Sequence, residues 1–198
     1  MKIYELRVDY ENNFASCIED HDACRLIPGK EELIDYDLDI WFDGTPQFQS
    51  WWARKMILCE NDDGSVDPVG DFALKLGVAV MLLENQAINK LKNFLENVEI
   101  LPVDCNFGDY SAINILTVLD CLDYEHSEFG TIDIPKPDGR PYIVYITKYA
   151  FRKEVIEGHK LFKIYDNPRA SMYASQEFVD EVNRLNLTGV SFDLIWEG

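Results

Sequence analysis

Alternation of apolar and polar residues at every second position is the feature that most constrains the fold of this 198-residue chain. Such alternation is typical of strands that bury one face. It occurs in residues 2–8, in residues 34–42 and in the tail at 190–196. Residues 97–105 and 110–118 predict an antiparallel hairpin across Gly108-Asp109. Further strands are predicted from their β-branched and aromatic composition or their apolar character, at 142–151 and 161–165.

Helical spacing of apolar residues is clear in two segments. The first, at about 84–95, places five apolar residues on one face: Ala87, Ile88, Leu91, Phe94 and Leu95. The second, at about 175–186, begins at Ser175 as a helix cap, and we expect Thr188-Gly189 to end it. A sustained strand–helix–strand rhythm is missing. The sequence therefore predicts an α+β fold, a mainly antiparallel sheet with two principal helices.

Charge narrows the classes of partner. The chain has 36 acidic and 18 basic residues, a net charge of −18. This charge repels phosphate backbones and anionic lipid, so we expect no nucleic-acid or membrane binding, and it attracts a basic partner. Solubility alone can also account for such a charge. The 47% of hydrophobic residues argues against intrinsic disorder.

Cellular location is indicated by what the chain carries near its start and by its cysteines. The first residues form no apolar signal segment, and the longest apolar run, 78–83, is too short to span a bilayer. Five scattered cysteines are an odd number, which favours reduced, mostly buried thiols. We therefore expect a cytoplasmic protein.

No set of residues predicts catalysis or metal binding. Counted from Asp35, an EF-hand loop needs Gly at position six and Glu at position twelve, where this chain has Ile40 and Pro46. Three possible zinc ligands lie close together in the sequence: Cys17, His21 and Cys24. A fourth ligand at zinc spacing is missing, as are a Walker loop and a GxSxG elbow. We expect no metal, no cofactor and no catalytic residue.

A combination of short motifs runs from the first helix to the end of the chain. A helix is followed by a Glu99…Pro102-Val103 strand, then by a Tyr, Asn, Asp and Ser block, and finally by a Phe-Lys pair and an LTG…F…W ending. The residues that carry this pattern are Glu99, Pro102, Val103, Tyr110, Asn114, Asp120, Leu122, Asp123, Ser127, Phe162, Lys163, Leu187, Thr188, Gly189, Phe192 and Trp196. Over roughly residues 70–196 the chain resembles the eleventh immunity-protein family of bacterial polymorphic toxin systems, formerly a domain of unknown function.

The resemblance implies a protein that neutralises a toxin by binding it, with no enzymatic activity. We expect one domain over 1–198, in which 1–69 is a variable N-terminal part and 70–196 a family-like core. The matching residues are interpreted as fold determinants: Phe192 and Trp196 in the core, and Asp120 and Asp123 as caps or within turns. Contacts specific to one toxin are then expected in the variable part, within residues 9–67.

Acidic residues next to tryptophans in that part are the candidate partner-binding residues. Carboxylates can mimic the phosphates bound by a basic toxin such as a nuclease, and aromatic side chains make good anchors. The candidates are Asp35, Asp37, Asp39, Asp43, Trp51, Trp52, Asp62, Asp63 and Asp67. Core packing is the alternative for the tryptophans. For the whole protein the alternatives are a small-molecule enzyme with a pocket in the aromatic N-terminal region, or an acidic scaffold protein. Toxin identity and oligomeric state do not follow from the sequence.

Overall fold

The computed structural model describes residues 1–20, 42–49, 51, 53–74, 80–134, 136 and 138–198. Within these residues the chain forms a six-stranded sheet, a five-stranded sheet and a two-stranded sheet, which confirms the α+β prediction. The strands are β1 Lys2–Val8, β2 Cys17–Glu19, β3 Arg54–Leu58, β4 Phe72–Leu74, β5 Met81–Glu84, β6 Val98–Cys105, β7 Tyr110–Ile115, β8 Val118–Leu119, β9 Glu128–Ile132, β10 Tyr142–Lys148, β11 Leu161–Ile164, β12 Tyr173–Ser175 and β13 Val190–Glu197. The helices are α1 Asn85–Leu91, α2 Lys153–Ile156 and α3 Gln176–Arg184.

The five-stranded sheet joins strands from distant parts of the sequence. Its order is β13-β1-β12-β11-β8, so β1 lies between two strands that come more than 160 residues later. Ile3 pairs with Ser175 on one side and with Trp196 on the other. Ser175 also caps α3, since its hydroxyl accepts a hydrogen bond from the Phe178 amide at 3.4 Å. The predicted cap is confirmed.

The six-stranded sheet has the order β2-β3-β6-β7-β5-β4. The predicted hairpin of β6 and β7 is confirmed, with Glu99 opposite Asn114. Two strand pairs in the protein are parallel among the described residues: β3 with β6, and β11 with β8. The parallel pairing of β3 adds residues 54–58 directly to the family-like part of the chain.

Three apolar clusters separate these sheets into layers. The first contains Leu6 of β1, Leu83 of β5 and Phe178 of α3, so it lies between the two larger sheets. The second lies on the other face of the six-stranded sheet and contains Leu82. The third lies on the other face of the five-stranded sheet and contains Ile3. Strands β5 and β7 thus contribute residues to apolar clusters on both faces of the sheet, which explains why most of their residues are apolar.

The helix ends differ from the prediction. Helix α1 ends at Leu91, and Phe94 and Leu95 reach the first cluster from the turns that follow. After α3 the left-handed residue is Asn186, at φ 51°. Gly189 was expected to end this helix, but it lies at the start of β13 with φ 89°, where an added Cβ would stand 2.1 Å from the Phe72 carbonyl oxygen. Close backbone approach, rather than helix termination, requires this glycine.

The structure also bears on the residues that were predicted to lie in the core and on the predicted buried thiols. Phe192 and Trp196 pack against the first and third clusters, partly buried, as predicted. Cys121 is buried, and burial raises the pKa of its thiol to about 12.

The predicted strand at 34–42 lies outside the described residues except for Phe42, and the division into one domain stays a prediction. The longest described helix, α3, has nine residues, and about 20 apolar residues are needed to cross a bilayer, so none of the described helices spans a membrane.

Candidate partner-binding surface

The connection from β3 to β4 carries a compact acidic loop. Asp62 and Asp63 are exposed, and Asp67 is half-buried. The Asp63 carboxylate accepts hydrogen bonds from the Ser65 hydroxyl at 2.6 Å and from the Ser65 amide at 2.9 Å. These bonds, the hydroxyl first, lower the pKa of Asp63. The loop therefore presents exposed carboxylates on an ordered turn, a suitable contact for a cationic surface.

Asp43 differs from the loop residues because its charge is already paired. Its carboxylate lies 3.3 Å from Arg169 Nη2 and accepts a hydrogen bond from the Thr45 amide at 3.0 Å. Burial alone would raise the pKa of Asp43, but the bonds from Thr45 and Arg169 outweigh burial and lower it. The described contacts thus connect Asp43 to Arg169, whereas those of Asp63 stay within its own loop.

Trp51 has an internal role. Its indole N–H donates to the Pro102 carbonyl at 2.8 Å, and its ring lies edge-on to Phe42 with centroids 5.9 Å apart. These contacts place it against the second apolar cluster. A partner-anchoring role for Trp51 stays a prediction. The candidates Asp35, Asp37, Asp39 and Trp52 lie outside the described residues.

Phe48 is an exposed aromatic residue that is absent from the candidates predicted from the sequence. Its side chain is 71% exposed, yet its backbone is fixed, since its amide donates to Glu99 Oε1 at 3.0 Å. The neighbouring amide of Gln47 donates to Glu99 Oε2 at 2.7 Å. The sequence does carry a signal for an exposed aromatic residue here. Phe48 lies between two glutamines, Gln47 and Gln49, in a segment without an alternating apolar pattern. An aromatic side chain on a fixed backbone loses little entropy on binding.

A polar cleft of about 290 Å³ lies beside β8 and holds Asp120 between two arginines. Its carboxylate accepts hydrogen bonds from Arg140 Nη2 at 2.7 Å and Arg152 Nη2 at 2.8 Å. The bond from Arg140 is the main reason why the pKa of Asp120 is lowered. The prediction of a cap or turn role is wrong for Asp120, because its partners come from distant segments. It is confirmed for Asp123, which accepts from the Glu125 amide at 3.0 Å.

The cleft has the chemistry of an ion-pair cluster. Both arginines are held by the Asp120 carboxylate, so the charged groups stabilise one another. Within the described ranges, no three His, Cys, Asp or Glu side chains are arranged to hold a metal ion.

A comparison with known protein families found a match to the C-terminal part of the chain. A family model described as the immunity protein family Imm11 matches residues 104–196. A search among curated proteins found no match. The matched segment contains β7 to β13 and the Asp120 cluster, whereas the acidic loop and Phe48 precede it. The resemblance seen in the sequence is thus confirmed, and residues 104–196 are similar to the Imm11 immunity protein family.

Proposed function

We propose that this chain is an immunity protein that binds a cognate bacterial toxin domain and neutralises it by occlusion, without catalysis. The observation that carries the proposal is the Imm11 match over residues 104–196. The protein would act as one domain in the cytoplasm of the cell that makes the toxin.

The charge of the chain supports a basic toxin domain, such as a nuclease. A net charge of −18 produces a field that accelerates the approach of a cationic protein. The acidic loop offers such a partner a contact, because Asp62 and Asp63 are exposed and lie on an ordered turn. A nuclease binds phosphates in a basic cleft, and the carboxylates of an inhibitor can occupy such a cleft.

The experiment is a calorimetric titration with an inactive form of the toxin domain encoded beside this chain's gene. We expect tight one-to-one binding at about 50 mM salt that weakens at about 500 mM, because salt screens exposed charges. Tight binding that does not change with salt would support an immunity protein but contradict the proposal that the toxin domain is basic. Absence of binding would contradict the proposed function, and a substrate screen for the alternative enzyme would follow.

The acidic loop is tested by charge reversal. Asp62→Lys leaves the Asp63–Ser65 turn intact, so a weaker association rate would reflect lost attraction rather than a disordered loop. Glu154→Lys is the matched control, since it reverses an exposed carboxylate on α2. Equal effects of both variants would show that only the total charge matters and that the loop is no contact. The triple reversal of Asp35, Asp37 and Asp39 tests the remaining acidic candidates in the same assay.

A further inference from the structure

Strands β9 and β10 form a two-stranded sheet, here called the ribbon, whose two faces differ. The inner face packs on the third apolar cluster through Phe129, Ile143 and Ile146. The other large apolar side chains of the ribbon and of its connection are exposed: Ile132 46%, Ile134 61%, Tyr142 47%, Val144 51% and Tyr145 60%. Several exposed apolar side chains on one element of a protein surface are typical of an interaction site.

The exposed side chains are held in register. Ile132 stands directly opposite Tyr142, and Gly130 directly opposite Tyr145. The Tyr145 ring covers Gly130 so closely that an added Cβ there would lie 2.4 Å from the ring. The glycine therefore provides the space that the tyrosine ring occupies on this face.

Both ends of the ribbon are attached to the body of the protein. At the connecting end, Arg140 binds Asp120 at 2.7 Å, and Lys136 Nζ donates to the Asp166 carbonyl at 2.7 Å. At the open end, the Arg152 amide, four residues after β10, donates to the Cys121 carbonyl at 2.8 Å. A surface fixed in this way loses little conformational entropy when a partner docks.

Charge distribution sets the ribbon apart from the rest of the surface. The residues from 128 to 148 contain three acidic and three basic side chains, so the net charge of −18 lies wholly outside them. The acidic surroundings include Asp123 and Glu125 next to β9. Protein interfaces have the same arrangement, an apolar centre with few net charges and a polar rim.

Resting on the proposed function, we propose that the outer face of the ribbon is the centre of the toxin-binding interface. The occupant is a toxin domain that presents an apolar patch bordered by lysine and arginine side chains. The patch would cover Tyr142, Val144 and Tyr145, and its basic border would face Asp123 and Glu125 beside β9. This places the anchor in the family-matched half of the chain, outside the range 9–67 expected from the sequence.

The ribbon would supply the centre of a stable interface rather than its whole area. A specific interface buries about 800 Å² on each partner, more than five side chains supply, and a few central aromatic residues carry most of the free energy. The ribbon supplies such aromatic residues, and the acidic residues beside β9, Asp123 and Glu125, belong to the rim.

The test is the affinity of two ribbon variants for the inactive toxin domain encoded beside this chain's gene. We expect Tyr145→Ser and Val144→Asp each to weaken binding by about 30-fold, the size typical of a central aromatic or a buried charge at an interface. Tyr10→Ser is the matched control, since Tyr10 is 56% exposed on a 3-10 helix without buried residues. Thermal unfolding of each variant verifies that the fold is retained.

The outcomes separate this inference from the proposed function. Tight binding by the wild type and by both folded ribbon variants would overturn the ribbon interface and leave the immunity function in place. If the wild type does not bind, both proposals fall. Sedimentation of the protein alone tests the other occupant, because a wild-type dimer that Val144→Asp dissociates would assign the face to a second copy and overturn the inference.

Discussion

Glu99 and Asn114 face each other on β6 and β7 and hold the same piece of backbone. Asn114 Nδ2 lies 3.0 Å from Glu99 Oε2 and 2.9 Å from the Thr45 carbonyl oxygen. Glu99 in turn accepts the amides of Gln47 and Phe48. Two residues that carry the family resemblance therefore fix a loop of the part expected to vary.

We expect Glu99→Ala to lower the free energy of unfolding by about 2–3 kcal/mol, because three hydrogen bonds to a carboxylate are lost. The Phe48 loop should also become sensitive to limited proteolysis. Urea unfolding and cleavage rates provide the measurements. Glu96→Ala is the control, since Glu96 is exposed and its ion pair with Lys160 should contribute less than about 1 kcal/mol. Equal effects of the two substitutions would contradict the role assigned to Glu99.

Lys163 makes stability depend on pH. Its ammonium group is buried on β11 and donates to the Phe42 carbonyl, and burial lowers its pKa to about 7 despite the opposing effect of Asp43. Between about 7 and the ordinary 10.5, the unfolded chain keeps this proton and the folded chain releases it. The free energy of unfolding of the wild type should therefore rise with pH in this window, relative to Lys163→Met.

The comparison of wild type with Lys163→Met cancels other titrating groups. Cys105 and Cys121 have pKa values raised to about 12 and act in the opposite direction, but they are present in both proteins. Urea unfolding at about pH 6 and about pH 9 gives, at each pH, the difference in the free energy of unfolding between the two proteins. Parallel curves for the two proteins would show that Lys163 does not titrate in this range.

Gly189 is a position at which an added methyl group should lower stability. We expect Gly189→Ala to lower the free energy of unfolding by more than about 2 kcal/mol, because backbone strain and a contact with the Phe72 carbonyl act together. Gly158→Ala is the control, with a similar φ of 84° and open space around its Cβ. It should lose only about 1 kcal/mol. A loss at Gly189 no larger than at Gly158 would show that the strands separate easily there.

Arg140 is expected to control the opening of the ribbon rather than global stability. Its guanidinium pairs with Asp120 and lies 4.9 Å from the centre of the Tyr165 ring. In Arg140→Met, amide hydrogen exchange in β10 should become faster, while the melting temperature changes little. Lys148→Met removes a looser, exposed ion pair with Glu128 at 3.6 Å and should leave exchange unchanged. Unaltered exchange in the Arg140 variant would contradict its anchoring role.

Local patterns predicted the elements that depend on neighbours in sequence. Strand β1, the β6–β7 hairpin and the Ser175 cap follow from alternation, a turn and a capping hydroxyl. The parallel pairs did not follow, because pairing of β3 with β6 depends on contacts between residues far apart in the chain. Asp120 shows the same limit, since its two arginines come from other segments.

The candidate site could be predicted only in part for the same reason. The sequence indicated Asp62, Asp63 and Asp67 as candidate contacts, and Asp62 and Asp63 are exposed. It could not indicate that Asp43 pairs with Arg169, 126 residues away, or that the Trp51 indole binds Pro102. The ribbon face was missed because an apolar strand sequence does not tell which side of it the core covers.

The position of β1 between β12 and β13 has a consequence for synthesis. At translation rates of about 5–20 residues per second, the ribosome needs about 10–30 s to make the residues that separate β1 from its partners. During that time both hydrogen-bonding edges of β1 are open to other chains. Closure of the five-stranded sheet is therefore a late event, and newly made chains should depend on chaperones until β13 has joined.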